Sequence, residues 1–320
     1  AARQKLQQSI ENLGSAAHTL QAAARELATE TGAGRFELSR LYRSAPVDSG
    51  YCSHAAQTLA LVGHALGARA LDLLINTHLH SDHCGGNAAL QARYPGLRTL
   101  IPPGEAEAVR AWDEDKLSYR ATGQACPRFN FDATLRPGET VTLADDAWEV
   151  HAAPGHDPHA VLLFQPGARL LISGDALWAK GFGIVFPEMW GEPSFDEVAA
   201  TLDLIERLKP ECVIPGHGPV FGQVGNALRI ARERLDAFVR SPEKHARHAI
   251  KVLIKFKLLD AKKISASELH DWLAGAAYLE QVQQRFAAER SLQDWSDELL
   301  DELIRSGVAR REAEFISDAP

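Results

Sequence analysis

Between Thr77 and Asn87 the chain reads THLHSDHCGGN, so His78, His80, Asp82 and His83 fall within six positions. Imidazole nitrogens and a carboxylate at that density are metal-ligand types. His78 and His80 are one residue apart at the end of an apolar run, ALDLLINT (70–77). In an extended chain alternate side chains point the same way, so both imidazoles can face one ion. Asp82 and His83 follow where Gly85 and Gly86 let the chain turn into the next helix. A helix N-terminus there favours negative charge nearby.

Three further donors share one grammar. His156 lies in APGHDPH, Asp175 in ISGDALW and His217 in IPGHGP. Each follows an apolar, strand-like run, and each is preceded by Gly, which lets the backbone turn sharply and present the side chain. A single strand-end His or Asp is commonly structural. Three of them, added to the first motif, point to one metal centre.

Elements must bring these donors together. Short runs bounded by Gly or Pro read as strands: 70–77, 97–102, 139–143, 148–154, 160–164, 168–174 and 211–216. Helical patterns lie between them at 54–66, 87–94, 104–112 and 194–208, the last with Ser194 as cap and Glu197 completing a capping box. Strands and helices mixed in this way predict an α/β fold with sheets covered by helices. Ahead of them, Leu6, Ile10, Leu13, Ala17, Leu20, Ala24 and Leu27 form an a/d seam. It fits either a coiled-coil homodimer or an amphipathic helix lying on its own domain. After Phe221 the chain is helical almost to its end, closing on VARREAEFIS. Three helices and a terminal strand-like piece predict a winged-helix-like unit. The expected parts are residues 1–34, 35–222 and 223–320.

The bulk composition bounds the function. With 34 Lys and Arg against 42 Asp and Glu, the net charge of −8 argues against a general nucleic-acid binder while leaving room for a local basic face. No apolar run is long enough to span a bilayer, and no signal-peptide pattern opens the chain. Cys52, Cys84, Cys126 and Cys212 are scattered without a CxxC pair. They fit reduced thiols in a cytoplasmic protein better than a disulfide framework or a thiolate zinc cage.

The order HxHxDH, then His, Asp and His, resembles the metallo-β-lactamase superfamily in its dinuclear hydrolase branch, over about residues 46–222. The resemblance implies an αββα sandwich, two sheets face to face with helices outside. It also implies that His78, His80 and His156 hold one metal, that Asp82, His83 and His217 hold a second, and that Asp175 bridges them. Asp82 and Asp175 are then the carboxylates of the catalytic centre. VDSG (47–50) resembles the family's VDTG, whose Asp supports the metal loop from behind, a role that falls to Asp48. Two Zn²⁺ per chain suit the donors, and iron or manganese also fit. Such a pair shares a hydroxide, because metal binding lowers the pKa of water to about 7. Asp175 stands where one class of zinc β-lactamases has a thiolate, and His80 where the diiron flavoproteins have glutamate. Asp175 therefore points away from antibiotic hydrolysis and toward the glyoxalase II, lactonase and nuclease-like branches. The family's opening strands are not legible before VDSG. Only RFELSRLY reads as a strand there, so those strands are either absent or replaced by the N-terminal helix. A sheet edge left open in this way must be covered.

Substrate-side residues are sparser. ALWAKGFGIVFPEMWGEPSF follows Asp175 and brings Trp178, Phe182, Phe186 and Trp190, which suit a pocket wall and lid as well as plain core packing. His159, three residues after His156, is placed to orient substrate or simply to pack. The segment 244–263 carries seven Lys or Arg against one Asp, which suits either an anion-binding face or a solvated helix. Three functions follow. The first is a hydrolase of a small ester, thioester or lactone. The second is a metal-dependent endoribonuclease, which rests on the basic segment. The third is a metal-bearing regulatory protein without turnover.

Overall fold

The computed structural model describes residues 46–143 and 145–319. The heptad seam and the RFELSRLY segment lie outside the described residues, and with them the expected homodimer contact.

After a 3-10 turn at Cys52–His54 come α1 (Ala55–Leu66), β1 (Leu73–Ile75), α2 (Ser81–Cys84), α3 (Asn87–Arg93), β2 (Arg98–Ile101), α4 (Ala106–Ala111) and β3 (Ala133–Thr134). A strand-rich stretch follows with β4 (Thr140–Leu143), β5 (Asp146–Ala152), β6 (Val161–Gln165) and β7 (Leu170–Gly174). Then come α5 (Phe186–Trp190), α6 (Phe195–Leu208), β8 (Cys212–Pro215), α7 (Val224–Arg240) and α8 (Pro242–Ala261). The chain closes with β9 (Lys263–Ser265), α9 (Ala266–Gly275), α10 (Ala277–Phe286), α11 (Leu292–Arg305), β10 (Ala309–Glu312) and β11 (Phe315–Asp318).

Among the described residues the strands form three sheets: β1-β2-β3, β4-β5-β6-β7-β8 and β10-β11-β9. The first is parallel, and Val47 adds one further parallel bridge to Ile75. The second is antiparallel except where β7 meets β8.

The period-2 alternation of the apolar strands builds the layers. Val161 and Leu163 of β6 face one core, while Leu162 and Phe164 face another. In β7, Leu170 and Ile172 face the first core and Leu171 the second, and in β8 Cys212 and Ile214 oppose Val213 in the same way. The first core is completed by Ile75 and Leu100, so it lies between the β1-β2-β3 sheet and the five-stranded sheet. The second is completed by Val198, Leu202 and Ile205 of α6 and by Ala227, Leu228, Ala231 and Leu235 of α7. On the far side, Leu66 of α1 and Leu90 of α3 pack with Leu74. The order is therefore helix, sheet, sheet, helix, as an αββα sandwich requires.

One local expectation is corrected. Ser194 has helical backbone angles and makes no side-chain cap, so the Ser194–Glu197 box does not form. Glu188 accepts from the Phe195 N–H instead, at 2.7 Å. A capping box does form at Ser265 and Glu268. The VARREAEFIS tail is an antiparallel hairpin, with Arg311 opposite Ile316, and β9 adds to its outer edge. The apolar face of α7 packs against α6 and the second sheet. The separate C-terminal core starts with Ala246, Ala249 and Ile250 of α8 and also takes in Ile184 from the loop after Asp175 and Met189 of α5.

Candidate metal centre

The donors converge at one end of the sandwich because their strands end there. β1 delivers Asn76, Thr77 and His78, all fully buried. The Thr77 carbonyl accepts the Val161 N–H at 2.8 Å, tying the end of the first sheet to the start of β6. His156 follows β5, Asp175 follows β7 and His217 follows β8. Gly216 is needed for space, since a Cβ there would meet Asp175 Oδ1 and the His83 ring.

Three imidazoles form one group. Ligand atoms of His78, His80 and His156 lie within 4.8 Å of one another. His80 Nδ1 is 2.8 Å from His156 Nε2. Asp82, His83 and His217 form a second group of the same span. Here His83 Nε2 is 3.2 Å from His217 Nε2, and His217 Nε2 is 3.2 Å from Asp82 Oδ2. Asp175 stands between the groups. Its Oδ2 is 3.5 Å from His156 Nε2 and 3.6 Å from His217 Nε2, and its Oδ1 is 3.4 Å from His83 Nε2.

The hydrogen bonds behind the rings fix which nitrogens face the centre. His156 Nδ1 meets the Ile184 carbonyl at 2.5 Å, and a carbonyl can only accept, so Nδ1 carries the proton. His83 Nδ1 faces Asp48 Oδ2 at 2.8 Å and donates to it. The Thr77 hydroxyl donates to Asp48 Oδ2 at 2.8 Å. Thr77 Oγ1 therefore accepts from His78 Nδ1, 3.1 Å away. In all three rings Nε2 is the nitrogen turned inward. His80 is reversed: its Nε2 faces Asp157 Oδ2 at 3.7 Å, so Nδ1 is the inward atom.

Asp48 also appears in a third close trio with His78 and His83. Its oxygens are already committed to the Thr77 N–H, the Thr77 hydroxyl and His83, which makes it a support for those residues. It adopts φ 60°, a left-handed conformation that Asp tolerates better than most residues. Gly86 lets this turn approach, because a Cβ there would meet the Ser49 carbonyl.

The electrostatics divide the centre. Burial holds His78 well below the ordinary imidazole range, reinforced by His83 and His80. Burial also lowers His80 and His156 to about 4. These three rings are neutral with free lone pairs. On the other side burial is outweighed: Asp175, Asp48 and Asp82 raise His83 well above its usual value, and Asp82 and Asp175 raise His217. Burial opposes ionisation of Asp82 as well, but His83 and His217 bring it down to about 2.

The donor set fits divalent cations on a specific observation. His78 Nε2 is buried with no hydrogen-bond partner among the described residues. Such an orphan costs about 1–3 kcal/mol. A cation at the His78–His80–His156 group would give this lone pair a partner, and Asp175 adjoins both groups.

A cavity of about 670 Å³ opens over the centre, lined by His80, Asp82, His156, Asp175 and His217. Trp178, Phe182, Phe186, Trp190 and His159 line it too. Trp178 donates its indole N–H to Asp175 Oδ1 at 3.2 Å. Phe186 packs edge-on against His80 at 5.1 Å and against Tyr278 at 5.5 Å, while Trp190 meets Tyr278 at 5.2 Å. Tyr278 lies on α10, so the C-terminal region clamps the aromatic loop into a wall. Sequence reasoning missed Asp157, half-buried Glu105, Arg234 and His248, all of which line the cavity. Asp157 has a visible signal, its place beside His156, whereas the other three sit in stretches without a motif. The basic segment turns largely inward. Arg247 pairs with Glu298 and Glu302, Lys251 with Glu302, Lys255 with Asp318 and Lys257 with Asp260.

Residues 47–217, more than half of the chain, match the metallo-beta-lactamase superfamily, and the chain belongs to it. Among its relatives it is similar to a hydroxyacylglutathione hydrolase of Synechococcus sp., 34% identical over 143 residues, 45% of this chain and 47% of that protein. It is also similar to a hydroxyacylglutathione hydrolase of Dechloromonas aromatica, 32% identical over 177 residues, 55% of this chain and 54% of that protein. The chain spans about half the length of the curated relatives it matches. Among solved structures, a beta-lactamase domain protein from Burkholderia ambifaria is 20% identical with a TM-score of 0.50, covering 85% of this chain and 82% of that one, a likeness of fold alone. Among the described residues no helix is long and apolar enough to cross a membrane.

Proposed function

We propose that the protein is a dinuclear metallo-hydrolase acting on a small thioester, ester or lactone. The observation that carries this reading is the convergence of five imidazoles with Asp82 and Asp175 at the floor of an apolar-walled cavity. His78, His80 and His156 would hold one metal and Asp82, His83 and His217 the other, with the Asp175 carboxylate adjoining both groups. Zn²⁺ suits these donors, with iron or manganese as alternatives. When bound, such ions polarise a carbonyl and acidify water near neutral pH.

The chain's own residues do the rest. Asp48 and Thr77 hold the His83 and His78 rings in the tautomers that face inward. The Ile184 carbonyl does the same for His156. Trp178 fixes the Asp175 carboxylate and shields one side from bulk water. Phe182, Phe186 and Trp190 give an acyl or ring group an apolar surface. The similarity to hydroxyacylglutathione hydrolases favours a thioester among the three substrate types. We read the unit from α8 to the terminal hairpin as winged-helix-like, contributing cavity wall rather than a nucleic-acid face. The pairing of Arg247, Lys251, Lys255 and Lys257 with carboxylates weighs against an RNA site. A small-molecule substrate is thus the expected partner.

The test is metal analysis of the purified protein together with a panel of thioesters, esters, lactones, phosphodiesters and RNA. About two ions per chain and fastest turnover on a thioester are expected, with a rate that changes little as salt rises. A folded, unchelated protein without metal would sink the reading. RNA cleavage that outran every ester and fell with salt would replace it with the nuclease.

A further inference from the structure

Three cations line the cavity: Lys116, Arg234 and Lys255. Two are neutralised. Lys116 lies 3.7 Å from Asp113, and Lys255 pairs with Asp318. Arg234 differs. It lies on α7 two residues after Arg232, which points outward to Asp203 at 2.7 Å and Glu206 at 2.8 Å. Among the described residues no carboxylate pairs with Arg234.

Its surroundings hold a charge without neutralising it. The guanidinium carbon lies 5.5 Å from the Phe182 ring centre and 5.2 Å from that of Phe238. An ion between such rings is attracted by their quadrupoles, although these supply no counter-charge. Gly181 leaves room for the group, since a Cβ there would meet Nη1 at 2.7 Å. One N–H bond is spoken for, because Nη2 lies 2.5 Å from His248 Nε2. Burial, with Arg234 and Lys251 nearby, lowers His248 to about 4, so its ring is neutral and accepts. Arg stays charged in proteins and presents a planar fork of five donors. Most of that fork remains for a ligand.

We propose that Arg234, oriented by His248, Phe182 and Phe238, is an anion subsite of the metal-centre cavity and takes a carboxylate carried by the substrate. This deepens the hydrolase reading and rests on it. A carboxylate is favoured over a phosphate ester because Glu192, Asp115 and the site's own carboxylates also line the cavity and repel a dianion. Beside Arg234 and the metal ligands, the lining includes the apolar side chains of Ile184, Phe186, Leu253 and Phe256. The substrate class is therefore an acyl thioester or ester with an apolar body and a carboxylate remote from the scissile carbonyl.

Two probe pairs test this. The first is the S-phenyl monothioester of adipic acid and its methyl-ester twin, compared as substrates of the metal-loaded protein. The second is 4-phenylbutyrate and 4-phenylbutanamide, compared as ligands by calorimetry. Wild type should favour the acid of each pair by about tenfold or more, on the scale of a charge-assisted bidentate contact. Arg234→Met should cut the thioester preference about tenfold, mainly through KM, and Arg234→Lys should restore part of it. Thermal unfolding of each variant checks the fold, and if Arg234→Met does not fold, the wild-type preference and the Lys variant still decide. Turnover of both thioesters at equal efficiency, with no preference for phenylbutyrate, overturns the subsite and leaves the hydrolase reading standing. An absence of any thioester turnover, with phenylbutyrate bound through Arg234, overturns the hydrolase reading and supports the subsite. Equal losses on both members of each pair in Arg234→Met would make the residue structural and overturn the proposal.

Discussion

Asp48 Oδ2 lies 2.8 Å from His83 Nδ1, across 35 residues of sequence, and the same carboxylate accepts from the Thr77 hydroxyl. One acidic side chain thereby sets the orientation of two imidazoles, one directly and one through a hydroxyl. Replacing Asp48 with Asn should leave the turn intact, since Asn also tolerates the left-handed backbone at φ 60°. The change removes the charge behind His83. Metal affinity, measured by competition with a chromogenic chelator, should fall about 10–100-fold. Wild-type retention of both ions would contradict this support role.

Asp175 reaches toward both metal groups, so Asp175→Asn should weaken binding of the Asp82–His83–His217 ion most and cut turnover steeply. Titration of metal into the stripped variant, followed by calorimetry, would resolve the two steps. Cys84 provides the contrast. It follows His83 but is buried with its sulfur 3.1 Å from the Tyr119 hydroxyl and 3.8 Å from Cys126 Sγ. Cys84→Ala should keep both ions and cost about 1 kcal/mol of stability from the lost packing. Loss of metal in that variant would mean the ligand set is misassigned.

Two glycines beside His217 separate space from backbone strain. At Gly216 a Cβ would meet Asp175 Oδ1 and His83, whereas at Gly218 nothing lies within 4 Å and the residue has φ +88°. Gly216→Ala should displace ligands and lose metal. Gly218→Ala should cost about 1 kcal/mol through its backbone alone and keep the metal. Both are read by metal content and urea unfolding of the same preparations.

His245 gives a pH dependence at a residue outside the ligand set. Its Nε2 accepts the Val185 N–H at 3.1 Å, and burial, with His248 and Arg234 near, lowers it from 6.5 to about 3. Because the folded value is depressed, the unfolded chain binds the proton first as pH falls. Stability from the neutral ring is complete above about pH 6.5 and is lost progressively toward pH 3, by at most about 1.4 kcal/mol per pH unit. His245→Gln keeps an acceptor for Val185 and cannot titrate. Its unfolding free energy should therefore fall less between pH 7 and pH 5 than that of wild type. Parallel slopes for the two proteins would rule out this contribution.

The donors of the centre were legible in the sequence because their signals are local. HxHxDH, and a Gly before His156, Asp175 and His217, mark strand ends and turns within a few residues. The alternation in β6, β7 and β8 likewise follows from the period of a strand, which any window of five residues displays. Other features are set by contacts across long separations. Nothing in ARERLDAF distinguishes Arg232, which meets Asp203 and Glu206, from Arg234, which enters the cavity without a carboxylate. The helical period gives each residue's angle around α7 but not which neighbour covers it. The expected capping box at Ser194 failed for the same reason, since Glu188, brought near by the preceding loop, took the Phe195 N–H. The basic segment likewise read as either an anion-binding face or a solvated helix until packing set α11 and the terminal hairpin against it. Residue types and spacing determined which atoms can bind metal. Tertiary packing decided which ring nitrogen His83 and His156 turn inward, because the proton on the other nitrogen is fixed by Asp48 and by the Ile184 carbonyl, both remote in sequence.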